Sequence, residues 1–311
     1  MLCWFAQRHT AVRRLEISIK CSGWFEVVGQ LIFMLRGSLA ALLVKAGSHG
    51  DGLFACNRLL TPLAQLTGAA VLAVLLRGPL PQLQLPSLES LTQLESLHWG
   101  WGVGLPPAIS GLTRLTGLMV GRFPDQQAKA AIAQLSRLTI LALQNTTLPS
   151  PLVDEASLAF LAGLPRLEGL GLEGVRLMGL PPALSQLTLL DCRHSHLDGG
   201  AAWLQHLPRL EEVWLEGCRL ASLPAELTAC TALRYLELTK AEGLQLTSGD
   251  VREVLARLTA LTRLELGGVD VGGVSPGAWL ALGQACPSLD DVGMSVEEED
   301  GEEGGEPEDE E

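Results

Sequence analysis

Three apolar positions return at a fixed spacing along most of this chain, and that recurrence limits what it can fold into. The pattern is L-x-x-L-x-L-x-x-N/C-x-L. Its first position falls at Leu94, Leu115, Leu138, Leu167, Leu187, Leu210, Leu233, Leu261 and Leu289, with a degenerate start at Ala69, so consecutive starts lie 20–29 residues apart. Position four is Leu72, Leu97, Leu118, Leu141, Leu170, Leu190, Val213, Leu236, Leu264 and Val292. Position six is Val74, Trp99, Val120, Leu143, Leu172, Cys192, Leu215, Leu238, Leu266 and Met294. Apolar positions four and six flanking a variable position five have the period of a strand with one buried face. A single unit of this size cannot bury that face alone, so neighbouring units must stack. The 65 leucines of 311 residues are the compositional trace of this stacking.

Between the strands the sequence supplies a second layer. In the stretch from Asp250, Val251, Val254, Leu255 and Leu258 recur at helical spacing, with Asp250 and Glu253 as a candidate capping pair. Pro276 after Ser275 suits the first turn of another helix, with Trp279, Leu282 and Cys286 on one face. These features resemble the leucine-rich-repeat family, over about residues 61–296. GLPPAISGLTRLTGL (104–118), GLPPALSQLTLL (179–190) and SLPAELTACTALRYL (222–236) look like its short LPxx type. The units at 250–266 and 275–294 are similar to the longer ribonuclease-inhibitor-like or cysteine-containing types. The resemblance implies an α/β leucine-rich-repeat solenoid of about nine to ten repeats, with a curved parallel sheet on the concave side and helices or turns on the convex side. One position departs from the family. Position nine, usually Asn or Cys, reads Arg77, Gly102, Phe123, Thr146, Val175, Ser195, Cys218, Ala241, Val269 and Glu297. Backbone groups in those turns need other partners, and looser turns are expected.

The ends differ from the middle. The formal charge of −13 resides mostly in residues 297–311, which hold eleven acids and no base and read as a disordered acidic tail. Residues 1–60 do not show the repeat and carry a net +4. Their apolar run Val27–Val44 is interrupted by Gln30 and Arg36, which favours a helical cap over a membrane anchor or a targeting presequence. The expected division is therefore a non-repeat segment at 1–60, a repeat domain at 61–296 and a tail at 297–311. Seven scattered cysteines without a CxxC pair indicate neither a zinc site nor a disulfide framework. They favour a reducing, cytoplasmic setting, with cytoskeleton or ciliary axoneme, nucleus and membrane anchoring as alternatives. The sequon Asn145-Thr146-Thr147 matters only in a secreted chain.

Function is sought on the concave face. Its central column reads His98, Met119, Ala142, Gly171, Asp191, Trp214, Glu237, Glu265 and Gly293. One flanking column holds Glu212, Tyr235, Arg263 and Asp291, and the other Gln144, Glu173, Arg193 and Glu216. Exposed aromatic and charged residues converge there alone, and Trp, Tyr and Arg anchor many protein interfaces. The candidate partner-binding residues are Asp191, Arg193, His194, Glu212, Trp214, Glu216, Arg234, Tyr235, Glu237, Arg263 and Glu265. Their acidic balance calls for a protein partner with a basic surface, and not for nucleic acid or a small-molecule substrate. A metal reading of Asp191–Asp198 fails because Cys192 sits at a core position. No phosphate-binding or nucleophile motif stands in context, so no catalysis and no cofactor is expected. The expected role is a protein-interaction module. Alternatives are a substrate receptor of a ubiquitin ligase, a membrane-anchored recognition receptor, and a cytoskeletal or axonemal component. The first lacks an F-box-like segment and the second lacks paired-cysteine caps.

Overall fold

Positions four and six point one way and position five the other, so stacking the units in register yields one continuous parallel sheet. The computed structural model describes residues 13–19, 30, 32, 39–47, 63, 66–77, 88–100, 104–144, 150–197 and 200–294. Its strands are β1 (Arg14–Ile19), β2 (Ala41–Gly47), β3 (Val71–Arg77), β4 (Ser96–Trp99), β5 (Gly117–Val120), β6 (Ile140–Gln144), β7 (Leu152–Val153), β8 (Gly169–Glu173), β9 (Arg176–Leu177), β10 (Leu189–Asp191), β11 (Glu212–Trp214), β12 (Tyr235–Glu237), β13 (Gln245–Thr247), β14 (Arg263–Glu265), β15 (Asp270–Gly273) and β16 (Asp291–Gly293). Twelve form the main sheet in the order β1-β2-β3-β4-β5-β6-β8-β10-β11-β12-β14-β16, while β7 pairs with β9 and β13 with β15. The register is unbroken. Leu42, Leu72, Leu97, Leu118, Leu141, Leu170, Leu190, Val213, Leu236, Leu264 and Val292 form one column.

One backbone motif recurs at every junction of the main sheet. Two successive N–H groups entering each strand donate to a single carbonyl of the preceding one. Ala40 and Ala41 donate to Arg13, Thr262 and Arg263 to Arg234, and Asp290 and Asp291 to Thr262. Threonines at position two strengthen several junctions, as Thr116, Thr139, Thr188 and Thr262 Oγ1 donate to the carbonyl that their own N–H also reaches.

The convex layer follows local chemistry. The LPxx segments form 3-10 turns at Pro107–Gly111, Pro182–Leu184 and Ala225–Ala229. Proline fixes φ there and removes an N–H that a first turn leaves unbonded. Longer units make helices α1 (Gln126–Ile132), α2 (Ser248–Glu253) and α3 (Pro276–Ala285). The capping pair on α2 differs from the expected one: Thr247 is the N-cap and Asp250 completes the box, not Asp250 with Glu253. The apolar face is as expected, with Val251, Val254, Leu255 and Leu258 buried, although Leu255 already lies in the 3-10 turn Leu255–Arg257. On α3, Ala278, Leu282 and Cys286 are buried and Trp279 is half-buried.

The turns after β8, β10, β11, β12 and β14 are regular rather than loose. Position eight has positive φ in five consecutive repeats, at Gly174, His194, Gly217, Lys240 and Gly268. Each of the last four closes an N–H to C=O bond three residues apart: Ser195 to Cys192, Cys218 to Leu215, Ala241 to Leu238 and Val269 to Leu266. Left-handed backbone at that place replaces the missing asparagine. Where position nine is polar it bonds as well. Ser195, fully buried, donates from Oγ to the Leu172 carbonyl at 2.7 Å and accepts from Val175 N–H at 3.1 Å. Cys218 Sγ donates to the Cys192 carbonyl at 2.8 Å.

The two ends correct the expected boundaries. Residues 14–19 and 41–47, assigned from sequence to a non-repeat segment with a helical cap, are strands of the main sheet. The end of the apolar run, Ala41–Val44, lies within β2. No helix among the described residues is long and apolar enough to cross a membrane. At the far end the pattern continues but burial fails: Val292 is 37% and Met294 54% exposed. The sequon and residues 297–311 lie outside the described residues.

Candidate functional site

Position five of successive repeats, with the residues two places before and after it, builds the concave surface, and a parallel register lines those residues up about 4.8 Å apart. Asp191, Trp214, Glu237 and Glu265 occupy one row, as Glu212, Tyr235 and Arg263 do beside it. Both rows follow the expected columns. A diagonal stack crosses them. The Trp214 and Tyr235 rings lie 5.0 Å apart at 59°. Arg193 Cζ sits 5.2 Å from the Trp214 centroid and Arg263 Cζ 5.6 Å from that of Tyr235. An aromatic pair of this geometry contributes about 0.5–1.5 kcal/mol beyond its buried area. The chain reads Arg–Trp–Tyr–Arg across four adjacent repeats.

Carboxylates hold both ends of the stack. Arg193 Nη2 and Nε donate to Asp191 at 2.7 and 3.0 Å. Arg263 donates to Glu265 Oε1 from Nε at 2.8 Å and pairs with Asp291 at 3.1 Å. Trp214 Nε1 donates to Glu212 Oε2 at 3.3 Å. The hydrogen bond to Asp191 holds the Arg193 guanidinium charged. Glu237 is different. Its Oε2 is buried without a hydrogen-bond partner among the described residues. Burial first, and the Glu216 charge second, push its carboxyl above the usual range, against the pull of Arg193. Tyr235 is also raised, by burial and then by Glu237 and Glu265.

The expected residues divide into two groups. Asp191, Arg193, Glu212, Trp214, Tyr235, Glu237, Arg263 and Glu265 meet on one patch, with Glu216 beside Glu237. Arg234 does not join the stack. It precedes β12, is exposed, and faces Glu211 Oε2 at 3.7 Å on the rim. His194 lies in the turn beyond β10, at φ 56°, over Gly217, where an added Cβ would fall 2.5 Å from its Nδ1. Asp291, not counted among the candidate residues, belongs to the patch through Arg263, and its place in the Tyr235–Arg263 column was the signal. Glu173 bonds Gln144 Nε2 at 2.8 Å and adds its charge near Arg193. Cys192 is buried on the opposite face from Asp191 and Arg193, and burial pushes its thiol well up. Among the described residues, no three His, Cys, Asp or Glu side chains are grouped to hold a metal.

No family model matches the chain, and no curated protein matches it in sequence. Solved structures do match. An internalin from Listeria monocytogenes superposes with a TM-score of 0.51 at 19% identity, covering 94% of this chain and 89% of its own. The TLR13–ssRNA13 complex gives a TM-score of 0.55 at 19% identity, covering 93% of this chain and 41% of the TLR13 chain, so this chain spans under half of that protein. Likeness at this identity establishes the fold, and the fold is the leucine-rich-repeat solenoid.

Proposed function

We propose that this leucine-rich-repeat solenoid is a protein-interaction module whose concave patch, centred on Trp214 and Tyr235, binds a partner with a basic surface. The observation that carries the reading is the half-exposed Arg193–Trp214–Tyr235–Arg263 stack, set among Glu173, Asp191, Glu212, Glu216, Glu237, Glu265 and Asp291. Rigid, pre-stacked aromatics lose little side-chain entropy on binding, which makes them efficient anchors. Seven acids against two arginines, both already paired, leave a negative field that steers a cationic surface and repels a polyanion such as RNA. Nothing in the patch supplies a nucleophile with an adjacent base, so a binding role without turnover is the reading it supports.

The test compares wild type with a Trp214→Ala, Tyr235→Ala double variant, both verified as folded by circular dichroism, in affinity purification. Partners held by the patch disappear from the double variant, and their retention weakens as salt is raised. An unchanged partner set sinks the proposal. A variant lacking residues 297–311 runs in parallel, so that partners recruited by the acidic tail are told apart from those recruited by the patch.

A further inference from the structure

The junction motif repeats through the main sheet and stops at each end. No described N–H reaches the carbonyl of Asp290, the position that accepts two N–H groups in every earlier strand. No described carbonyl receives the N–H groups of Arg13 and Arg14, which hold the donor positions on β1. Among the described residues, one end therefore offers the acceptor that the other end lacks. Side chains at the last repeat show the same incompleteness. Of seven large apolar residues exposed in the described chain, Leu280, Val292 and Met294 all lie there, at 65%, 37% and 54%. Open edges of this kind are templates for strand addition.

The register identifies what fits. Following the columns from β1 to β16, Arg14 shares a column with Asp291, Leu15 with Val292, and Glu16 with Gly293. Ile17 shares the position-six column with Trp99, and Met294 continues that column one residue past β16 in the sequence. We infer that the chain associates head to tail with a second copy of itself, β1 of one copy adding in parallel to β16 of the next. Arg14 then faces Asp291, Leu15 and Ile17 fall in register with Val292 and Met294, and Arg13 and Arg14 donate to the Asp290 carbonyl. Charge favours this order. Arg13 and Arg14 are exposed on β1, whereas Asp290 and Asp291 are exposed at β16. A twofold pairing of β16 with β16 would instead set four aspartates together. One neighbour opposes the junction: Glu16 would approach the Glu265 carboxylate, which leans over Gly293. The junction is accordingly weak and reversible. Head-to-tail contacts lack a twofold axis, so the product is a ring or an open series of oligomers rather than a symmetric dimer.

Sedimentation velocity on the full 311-residue chain, from about 1 to 100 µM, tests this. The weight-average sedimentation coefficient should climb with concentration past the dimer and fall as NaCl is raised. Arg14→Asp or Asp291→Arg alone places like charges opposite each other and should weaken association roughly tenfold, while the chain carrying both changes regains it. The Asp291 change sits on an exposed edge, so it tests the junction even if the Arg14 variant fails to fold. A chain monomeric throughout, assembly that stops at a dimer indifferent to Arg14→Asp, or oligomers unchanged by either single swap would each overturn the inference.

Discussion

At the scale of single residues, Ser195 shows how this chain does without the expected asparagine. Its hydroxyl bridges Leu172 and Val175 of the neighbouring repeat from a fully buried position. Ser195→Ala strands a buried N–H and a buried carbonyl, which should cost about 1–3 kcal/mol in urea unfolding. Glu237 makes the opposite case. Burial raises its folded carboxyl above the ordinary value, so the folded state holds the proton more tightly than the unfolded chain. Stability is then lost as pH rises from the unfolded value through the folded one. Glu237→Gln removes that loss: it should raise Tm at pH 7, with the gain vanishing below about pH 4. A gain that persists at pH 3 would argue against the buried-carboxylate account. The same residue-level view explains Arg234. Sequence placed it beside Tyr235, but it precedes β12 and extends to the rim, whereas Arg193 and Arg263 reach the rings diagonally.

Among the elements, strands were more legible than helix starts. A strand's identity follows from apolar period alone, and the concave columns emerged in register because every repeat keeps positions four to six intact. Helix α2 shows the weaker side. Asp250 was correctly seen as part of a box, but its partner is Thr247, three residues earlier, which donates and accepts as N-cap. Thr247→Ala should destabilise by about 1 kcal/mol, read as a lower urea midpoint with an unchanged slope. The first two strands were also present in the sequence. Leu39, Leu42 and Val44 follow the L-x-x-L-x-L spacing, as do Val12, Leu15 and Ile17. They are hidden by a long apolar run, broken by Gln30 and Arg36, and by a cluster of bases, which resemble a helix or an anchor when composition is weighed ahead of register.

For the whole molecule, stability is a sum of repeats and of the interfaces between neighbours. The buried column from Leu97 to Leu264 has neighbours on both sides, whereas β16 has one and leaves Val292 exposed. Amide exchange should therefore be slowest across β8 to β12 and fastest at β16, graded with distance from the end. Uniform protection along the sheet would contradict a nearest-neighbour solenoid. The sequence alone determined the solenoid, its core columns and the identity of the residues facing the concave side, because those depend on a period that local geometry enforces repeat by repeat. Only the tertiary structure decided which of those residues touch. The Arg193–Trp214–Tyr235–Arg263 diagonal, the Glu237 oxygen without a partner among the described residues and the left-handed turn at His194 depend on side-chain reach between strands and on the curvature that stacking imposes, and neither is written in the spacing of the leucines.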